Sequence, residues 1–219
     1  MPKTIAIIPA YNEAKTIAAV ISDTQKYVDQ VIAVDDGSID KTYEASKDAH
    51  LRARHITNLG KGSALKTGFE LALKHGADTI VTIDADGQND PADIPKLFNA
   101  MHAHRADIVV GSRQINRNMP LIFCFGNWFL RKSFNLLFHL NINDTQSGFR
   151  AVKASIYPKL TWQSSDYSVE AEMLANAGKH SLRCIEIPIN TKYLDRYKGT
   201  TVFDGISIFI HMLLWKLRR

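Results

Sequence analysis

Residues 79–88 read Thr-Ile-Val-Thr-Ile-Asp-Ala-Asp-Gly-Gln. The first half, Thr79–Ile83, is an unbroken β-branched run of the kind that fills a central strand. The second half, Asp84-Ala85-Asp86-Gly87-Gln88, is a polar turn carrying two carboxylates. Working back toward the N-terminus, Gly60–Gly62 opens a helix through Leu65, Phe69, Leu71, Ala72 and Leu73. Before it come a short strand near Leu51–Ile56, a helix from about Ile39 to Ala49 and a strand at Val31–Val34. Earlier still are a helix over Asn12–Tyr27, with Ile17, Val20, Ile21 and Val28 on one side, and a strand at Thr4–Ile8. Beyond the turn, Pro91–His102 is a helix with proline in its first turn, and Ile108–Val110 is a strand ending at Gly111.

Strands alternating with helices predict an α/β fold, a Rossmann-like, mainly parallel sheet with helices on both faces. Ligands of such sheets gather beyond the carboxyl ends of the strands. The polar clusters fall there: Tyr11-Asn12-Glu13, Asp35–Ser38 and Asp84–Gln88. Past Ser112 the pattern changes. Met119–Leu140 is aromatic and apolar, broken by Arg131 and Lys132, and Asp144–Arg150 is a polar turn segment. Tyr167–Ala177 reads as a helix, Leu182–Pro188 as a strand and Phe203–Arg219 as a final amphipathic helix.

Composition fits an ordinary globular chain: 219 residues, 45% hydrophobic and 22% charged, with net charge +5 and isoelectric point near 9.1. The basic residues are spread out, with no arginine-rich arm, which argues against a nucleic-acid partner. Cys124 and Cys184 form neither a disulfide framework nor a zinc pattern, and both sit in apolar runs as expected of core thiols. The N-terminus lacks the features of a signal peptide, and no window offers about 18 uninterrupted apolar residues for a spanning helix.

Two carboxylates two apart, just past a buried strand, suit a hard divalent cation that also takes waters and substrate phosphates. Gln88 adds a neutral oxygen, and a plain polar turn is the competing reading. In Asp35-Asp36-Gly37-Ser38-Ile39-Asp40, Asp40 is assigned to capping, whereas Asp36 adds nothing to a cap and is placed to meet a base or ribose. Gly60-Lys61-Gly62-Ser63 has neither the Walker A order nor GxGxxG spacing, and reads as a tight turn into a helix. The histidines show no zinc spacing.

Five segments stand in a familiar order: Pro9-Ala10-Tyr11-Asn12-Glu13, Asp35-Asp36-Gly37-Ser38, Asp84-Ala85-Asp86-Gly87-Gln88, Gly111-Ser112-Arg113 and Ser147-Gly148-Phe149-Arg150. Together they resemble family-2 glycosyltransferases of the GT-A fold, most of all the polyprenyl-phosphate branch typified by dolichol-phosphate mannose synthases. The resemblance covers nearly the whole chain and implies a GT-A domain over residues 1–202 followed by the amphipathic helix 203–219. It implies that Pro9, Tyr11, Glu13, Val34 and Asp36 hold the nucleoside of a nucleotide-sugar donor. Asp84, Ala85 and Asp86 would meet ribose and diphosphate, and Asp86 and Gln88 would ligate Mg²⁺ or Mn²⁺. Arg113 and Arg196 would face phosphates, with Asp84, Asp86 and the two arginines as the catalytic set. Arg131 and Ser147 are assigned to the acceptor phosphate. Two departures stand out. Asn89-Asp90-Pro91 replaces the usual His-Pro-Pro-like stretch, and Arg196-Tyr197-Lys198-Gly199-Thr200-Thr201 lacks the usual following lysine.

The implied reaction is direct displacement at the anomeric carbon, with GDP-mannose as leading donor and a UDP-sugar such as UDP-glucose as the alternative. A lipid monophosphate, with a second pKa of about 6, is already a dianion near neutral pH and needs no protein base. A saccharide hydroxyl would need one, and Asp144, Glu170 and Glu172 are the available carboxylates. Met119–Leu140 and the C-terminal helix suit a membrane surface better than a span. A peripheral enzyme on the cytoplasmic face is expected, with a homodimer or an integral-membrane partner left open. A sugar nucleotidyltransferase and a non-catalytic docking domain are the rivals. The first lacks its glycine-rich basic N-terminal loop, and the second leaves the acidic rim unexplained.

Overall fold

The computed structural model describes residues 2–113, 121–191 and 202–217, with side chains excepted at 121–129 and 202–208. The first half alternates strand and helix: β1 (Thr4–Ala10), α1 (Ile17–Thr24), β2 (Gln30–Asp35), α2 (Thr42–Ala45), β3 (Leu51–Arg54), α3 (Lys61–Lys74) and β4 (Thr79–Thr82). A 3₁₀ turn at Pro91–Asp93 leads into α4 (Ile94–Ala103), followed by β5 (Ile108–Arg113) and α5 (Leu121–Phe138). The rest comprises β6 (Arg150–Lys153), α6 (Tyr157–Leu160), α7 (Val169–Lys179), β7 (Cys184–Ile189) and α8 (Val202–Leu217).

These strands form one seven-stranded sheet in the order β3-β2-β1-β4-β6-β5-β7. Pairs β1/β2, β1/β4, β2/β3 and β5/β7 are parallel, as the alternation predicts, while β6 runs antiparallel to both β4 and β5. An antiparallel strand delivers its beginning, not its end, to the rim where its neighbours finish. The Ser147-Gly148-Phe149-Arg150 segment therefore arrives beside the carboxyl ends of β4 and β5. Position 83 extends the central ladder by one bond, Ile83 N donating to Ile7 O at 3.1 Å.

Three local differences from the sequence reading have physical reasons. Residues 13–16 form turns, so α1 starts only at Ile17; the Asn12–Glu13 backbone is held instead by Ser38 and Thr42 hydroxyls. The helix expected over Ile39–Ala49 shrinks to Thr42–Ala45, because Asp40 turns the chain by accepting from Thr42 N at 3.0 Å and from Ala14 N at 3.3 Å. β6 begins at the last residue of the expected polar turn and runs on through residues 151–153, where the sequence reading places no element, because its partners lie far away in sequence.

Each face of the sheet carries its own core. α1 and α4 cover one face through Ile17, Val20, Ile21, Ile94 and Leu97. The other packs α3, α5, α6, α7 and α8 around Phe69, which stacks on Tyr157 at 5.2 Å and meets Trp162 edge-on at 5.4 Å. The C-terminal helix belongs to this second core: Met212 and Trp215 are buried in it, and Lys216 donates to Leu137 O at 2.7 Å. Trp215→Ala is therefore expected to cost about 3–5 kcal/mol within a single urea transition. An unchanged midpoint would mean that the helix does not belong to the folding unit.

Candidate active site

The carboxyl ends of β1, β2 and β4 open onto a cleft of about 330 Å³. Its walls include Pro9, Tyr11, Glu13, Asp36, Asp84, Ala85 and Asp86, so seven sequence-predicted donor residues converge on one space. Ala10, Asn58, Gly60, Lys61, Ala64, Asp166 and Tyr167 complete the lining. Val34 lies behind it, fully buried in the sheet beside Pro9. Gln88 adjoins the cleft and donates its backbone N–H to Asp86 Oδ1 at 2.9 Å.

Asp36 organises one end of the cleft. Its Oδ2 accepts from Gly60 N at 2.7 Å, while Oδ1 accepts from Leu59 N at 3.1 Å and contacts His55 Nδ1 at 2.6 Å. His55 reaches on to Thr67 of α3 at 2.9 Å. The buried carboxylate thus ties the loop after β3 to the end of β2, and places Asn58 and Gly60 on the cleft wall.

Gly60-Lys61-Gly62-Ser63 is the expected tight turn, but Lys61 also has a role that spacing does not reveal. Its ammonium lies 2.6 Å from Asp84 Oδ1 and 2.7 Å from Glu170 Oε1. Burial opposes the charge on Lys61, yet Asp84 and Glu170 together raise its pKa above the ordinary lysine value. Glu170, whose side chain is 3% exposed, opens α7. The flanking glycines permit this approach: a Cβ on Gly60 or Gly62 would lie 2.2 or 2.0 Å from the carbonyl oxygens of Ser165 or Ser164. Gly62 N donates to Ser165 O and Trp162 Nε1 to Gly62 O, so the start of α3 docks against residues 162–165. Gly148 leaves room in the same way, since a Cβ there would fall 2.5 Å from Asp84 Oδ2.

The acids across the cleft disfavour one another's charge. Burial raises the pKa of Asp86, and Asp84 adds to the shift. Burial also raises that of Glu13, with Asp86, Asp40 and Asp84 contributing. Five carboxylates and one lysine line the space, and that lysine is held between Asp84 and Glu170. Such surroundings disfavour a diphosphate unless positive charge accompanies it. Among the described residues no group of three or more His, Cys, Asp or Glu side chains is arranged to hold a metal ion. Mg²⁺ is commonly held by only one or two protein oxygens, with waters and substrate phosphates completing its shell. The donor set of Asp86 and Gln88 beside Asp84 fits an ion of this kind.

Of the remaining expected residues, Arg113, Ser147 and Arg131 are among those described. Arg113 makes a two-pronged pair with Asp144, Nε to Oδ2 at 2.8 Å and Nη2 to Oδ1 at 2.9 Å. Ser147 is buried behind the rim, its hydroxyl donating to Gly111 O at 2.6 Å. Arg131 contacts Asn143 Oδ1 at 3.1 Å. Arg196 lies outside the described residues, as does the Cys124 side chain. Arg150 is buried and donates to the carbonyls of Thr145, Ser147 and Glu170, bracing the loop that brings Gly148 to Asp84. Glu172 accepts from Gln163 N and Ser164 N, a structural use of that carboxylate. Burial pushes the Cys184 thiol up to about 12, so this cysteine is no nucleophile at neutral pH.

The fold and this acidic rim define a transferase of the nucleotide-sugar class, and comparison with known proteins agrees. Residues 5–160 match the model of glycosyl transferase family 2. The chain is 37% identical to the UDP-N-acetylglucosamine–dolichyl-phosphate N-acetylglucosaminyltransferase of Methanococcus voltae, over 96% of this chain and 95% of that one. It is 28% identical to the undecaprenyl-phosphate mannosyltransferase of Micrococcus luteus, over 93% and 88% respectively. Among solved structures, glucosyl-3-phosphoglycerate synthase from Mycobacterium tuberculosis, crystallised with Mg²⁺ and UDP, shares the fold with a TM-score of 0.75. That match has 18% identity and covers 98% of this chain and 79% of that one. The chain belongs to glycosyl transferase family 2 and has the GT-A fold, as the five sequence motifs imply.

Two predictions follow from the charges. Lys61→Met leaves Glu170 buried without its cation and should cost about 3–5 kcal/mol in urea unfolding, part of it regained in Lys61→Met/Glu170→Gln. Equal stability of wild type and Lys61→Met would remove the ion cluster from the fold. The folded chain holds the Asp86 proton more tightly than the unfolded one, so wild type loses stability as pH rises above the ordinary carboxylate value of 3.8. In EDTA at pH 7, Asp86→Asn should accordingly melt higher than wild type, the gap closing as the pH falls through the raised pKa. A lower melting point for the variant would contradict the assignment.

Proposed function

We propose that this protein moves a sugar from a nucleotide sugar to a polyprenyl phosphate by inverting displacement. A phosphate oxygen of the lipid attacks the anomeric carbon. The bond from that carbon to the nucleoside diphosphate breaks, and the configuration inverts. The observation carrying this reading is the anionic cleft at the strand ends of a family-2 chain, which accepts a diphosphate only together with cations. Its lipid acceptor is supported by the two relatives above, both named for lipid-phosphate acceptors and both aligned over more than nine-tenths of this chain.

In this reading Pro9, Tyr11, Glu13, Val34 and Asp36 form the nucleoside end, and Asp84, Ala85 and Asp86 face ribose and diphosphate. Asp86 and Gln88 hold Mg²⁺ or Mn²⁺, which when bound offsets the charge on the departing diphosphate. Arg113 and Arg196 add positive charge around the phosphates, and Arg131 stands toward the acceptor. Lys61 holds Asp84 in place through their ion pair. Of donors, N-acetylglucosamine on UDP is supported by the 37% identical relative, and GDP-mannose by the mannosyltransferase at 28%.

The membrane partner follows from the acceptor. No helix among the described residues is long and apolar enough to cross a membrane. α8 buries Met212 and Trp215 yet exposes Ile210, Leu213, Leu214 and Leu217, and α5 exposes Leu136. With Lys216 among them, these residues suit peripheral attachment to an anionic surface, on the cytoplasmic face in this reading.

The test is a donor screen with UDP-N-acetylglucosamine, GDP-mannose and UDP-glucose, a polyprenyl phosphate and Mg²⁺ or Mn²⁺, following sugar into the organic phase. Metal-dependent transfer from one donor is expected, reduced by at least about a hundredfold in Asp86→Asn. Leu213→Asp/Leu217→Asp should sediment less with anionic vesicles. Nucleotide binding without transfer to lipid phosphate would overturn the acceptor, and equal sedimentation would overturn the surface.

A further inference from the structure

β7 reads Cys184-Ile185-Glu186-Ile187-Pro188-Ile189. Ile185 and Ile187 pack into the core shared with α1 and α4, whereas Glu186 alternates onto the other face of the sheet, as Cys184 does. An acid at such a strand position has to find donors, and Glu186 finds them in one short turn. Its Oε1 accepts from Asp144 N at 2.7 Å. Its Oε2 accepts from Asn143 N at 2.9 Å and from Asn143 Nδ2 at 2.7 Å. Both oxygens of one carboxylate thus hold two consecutive residues of the loop between α5 and β6.

What this turn presents matters on both sides. Asp144 offers Oδ1 and Oδ2 to the Arg113 guanidinium and also accepts from Arg113 N at 3.2 Å. Asn143 turns its amide oxygen to Arg131 at 3.1 Å. The two arginines assigned above to donor and acceptor phosphates are therefore both set by residues that Glu186 holds. β7 pairs with β5 in the register Val110↔Glu186, so Glu186 and Arg113 are carried by neighbouring strands of the sheet.

We propose that Glu186 is a positioning residue of the transfer reaction: by pinning Asn143 and Asp144 it fixes where the Arg113 guanidinium stands. The assignment rests on the reading of Arg113 as a phosphate contact, while the geometry it invokes can be measured independently of turnover. Charge-assisted acceptance by a carboxylate is stronger than acceptance by an amide, and Gln would turn an NH₂ group toward one of the N–H donors. Glu186→Gln should therefore free the 143–144 turn and loosen the Arg113–Asp144 fork with little change in the rest of the core.

The direct readout is the Arg113 Nε–H resonance, assigned by its loss in Arg113→Lys and followed by hydrogen exchange in the full chain. Slow exchange is expected in wild type, with fast exchange in Asp144→Asn and, to the same extent, in Glu186→Gln. Protection retained in Glu186→Gln would overturn the proposal. If the Gln variant does not fold, Glu186→Asp, shorter by one methylene, is read for the same loss. In turnover, Glu186→Gln should lower kcat by about ten- to a hundredfold, the scale of a roughly 1 Å misplacement. It should add no further loss in the Asp144→Asn background, whereas two losses that multiply would show that Glu186 acts elsewhere. A failure of every donor to react would sink the proposed reaction and leave the exchange result to decide the positioning role.

Discussion

The ion cluster of Lys61 with Asp84 and Glu170 is the interaction on which the arrangement of the site depends. Asp84 ends the central strand β4, Lys61 begins α3, and Glu170 sits at the start of α7. One buried ammonium therefore joins three elements at the rim. Glu170, the buried partner, would face a large desolvation cost without it. Backbone crowding enforces the same geometry, because Gly60, Gly62 and Gly148 stand where a Cβ would strike the neighbouring chain or Asp84.

A second consequence concerns the charge that is left over. Lys61 is shared between Asp84 and Glu170, and although it and Arg113 favour the charged form of Asp86, burial and Asp84 still hold that carboxyl raised, as burial and the neighbouring acids do for Glu13. The site is short of positive charge before substrate arrives. In the proposed reaction a nucleoside diphosphate with a divalent ion would supply it, and no cage of three or more protein ligands stands ready among the described residues. The reversal of β6 matters here too. Had that strand run parallel, the Ser147–Phe149 loop would lie at the opposite edge of the sheet, and Gly148 could not back Asp84.

The parallel half of the fold was legible because its signals are local. Thr79–Ile83 is recognisable as a buried strand by composition alone, and the acids that follow it mark the rim. The cleft-lining acids Glu13, Asp36, Asp84 and Asp86 were readable for the same reason. β6 was not, since Arg150–Lys153 is four residues long, has no hairpin turn beside it and is defined by partners from distant strands. The second helix is shorter at both ends than its sequence suggests, because Asp40 bends the chain before it and Ser46 after it with side-chain bonds. Lys61 stayed hidden for a different reason: measured against phosphate-loop spacing it matches nothing, and its carboxylate partners are brought to it only by tertiary folding. Glu186 shows the same limit, as an acid in an apolar strand whose use depends on a turn far from it in sequence.

The central claim is that this acidic rim receives a diphosphate only with a divalent cation. The most direct measurement is calorimetric titration of the wild-type chain with UDP and with GDP, each in the presence of Mn²⁺ or Mg²⁺ and again in EDTA. The account predicts binding of one nucleotide that depends on the ion and is lost in Asp86→Asn. Equally tight binding in EDTA, or unaltered metal-dependent binding in Asp86→Asn, would contradict it.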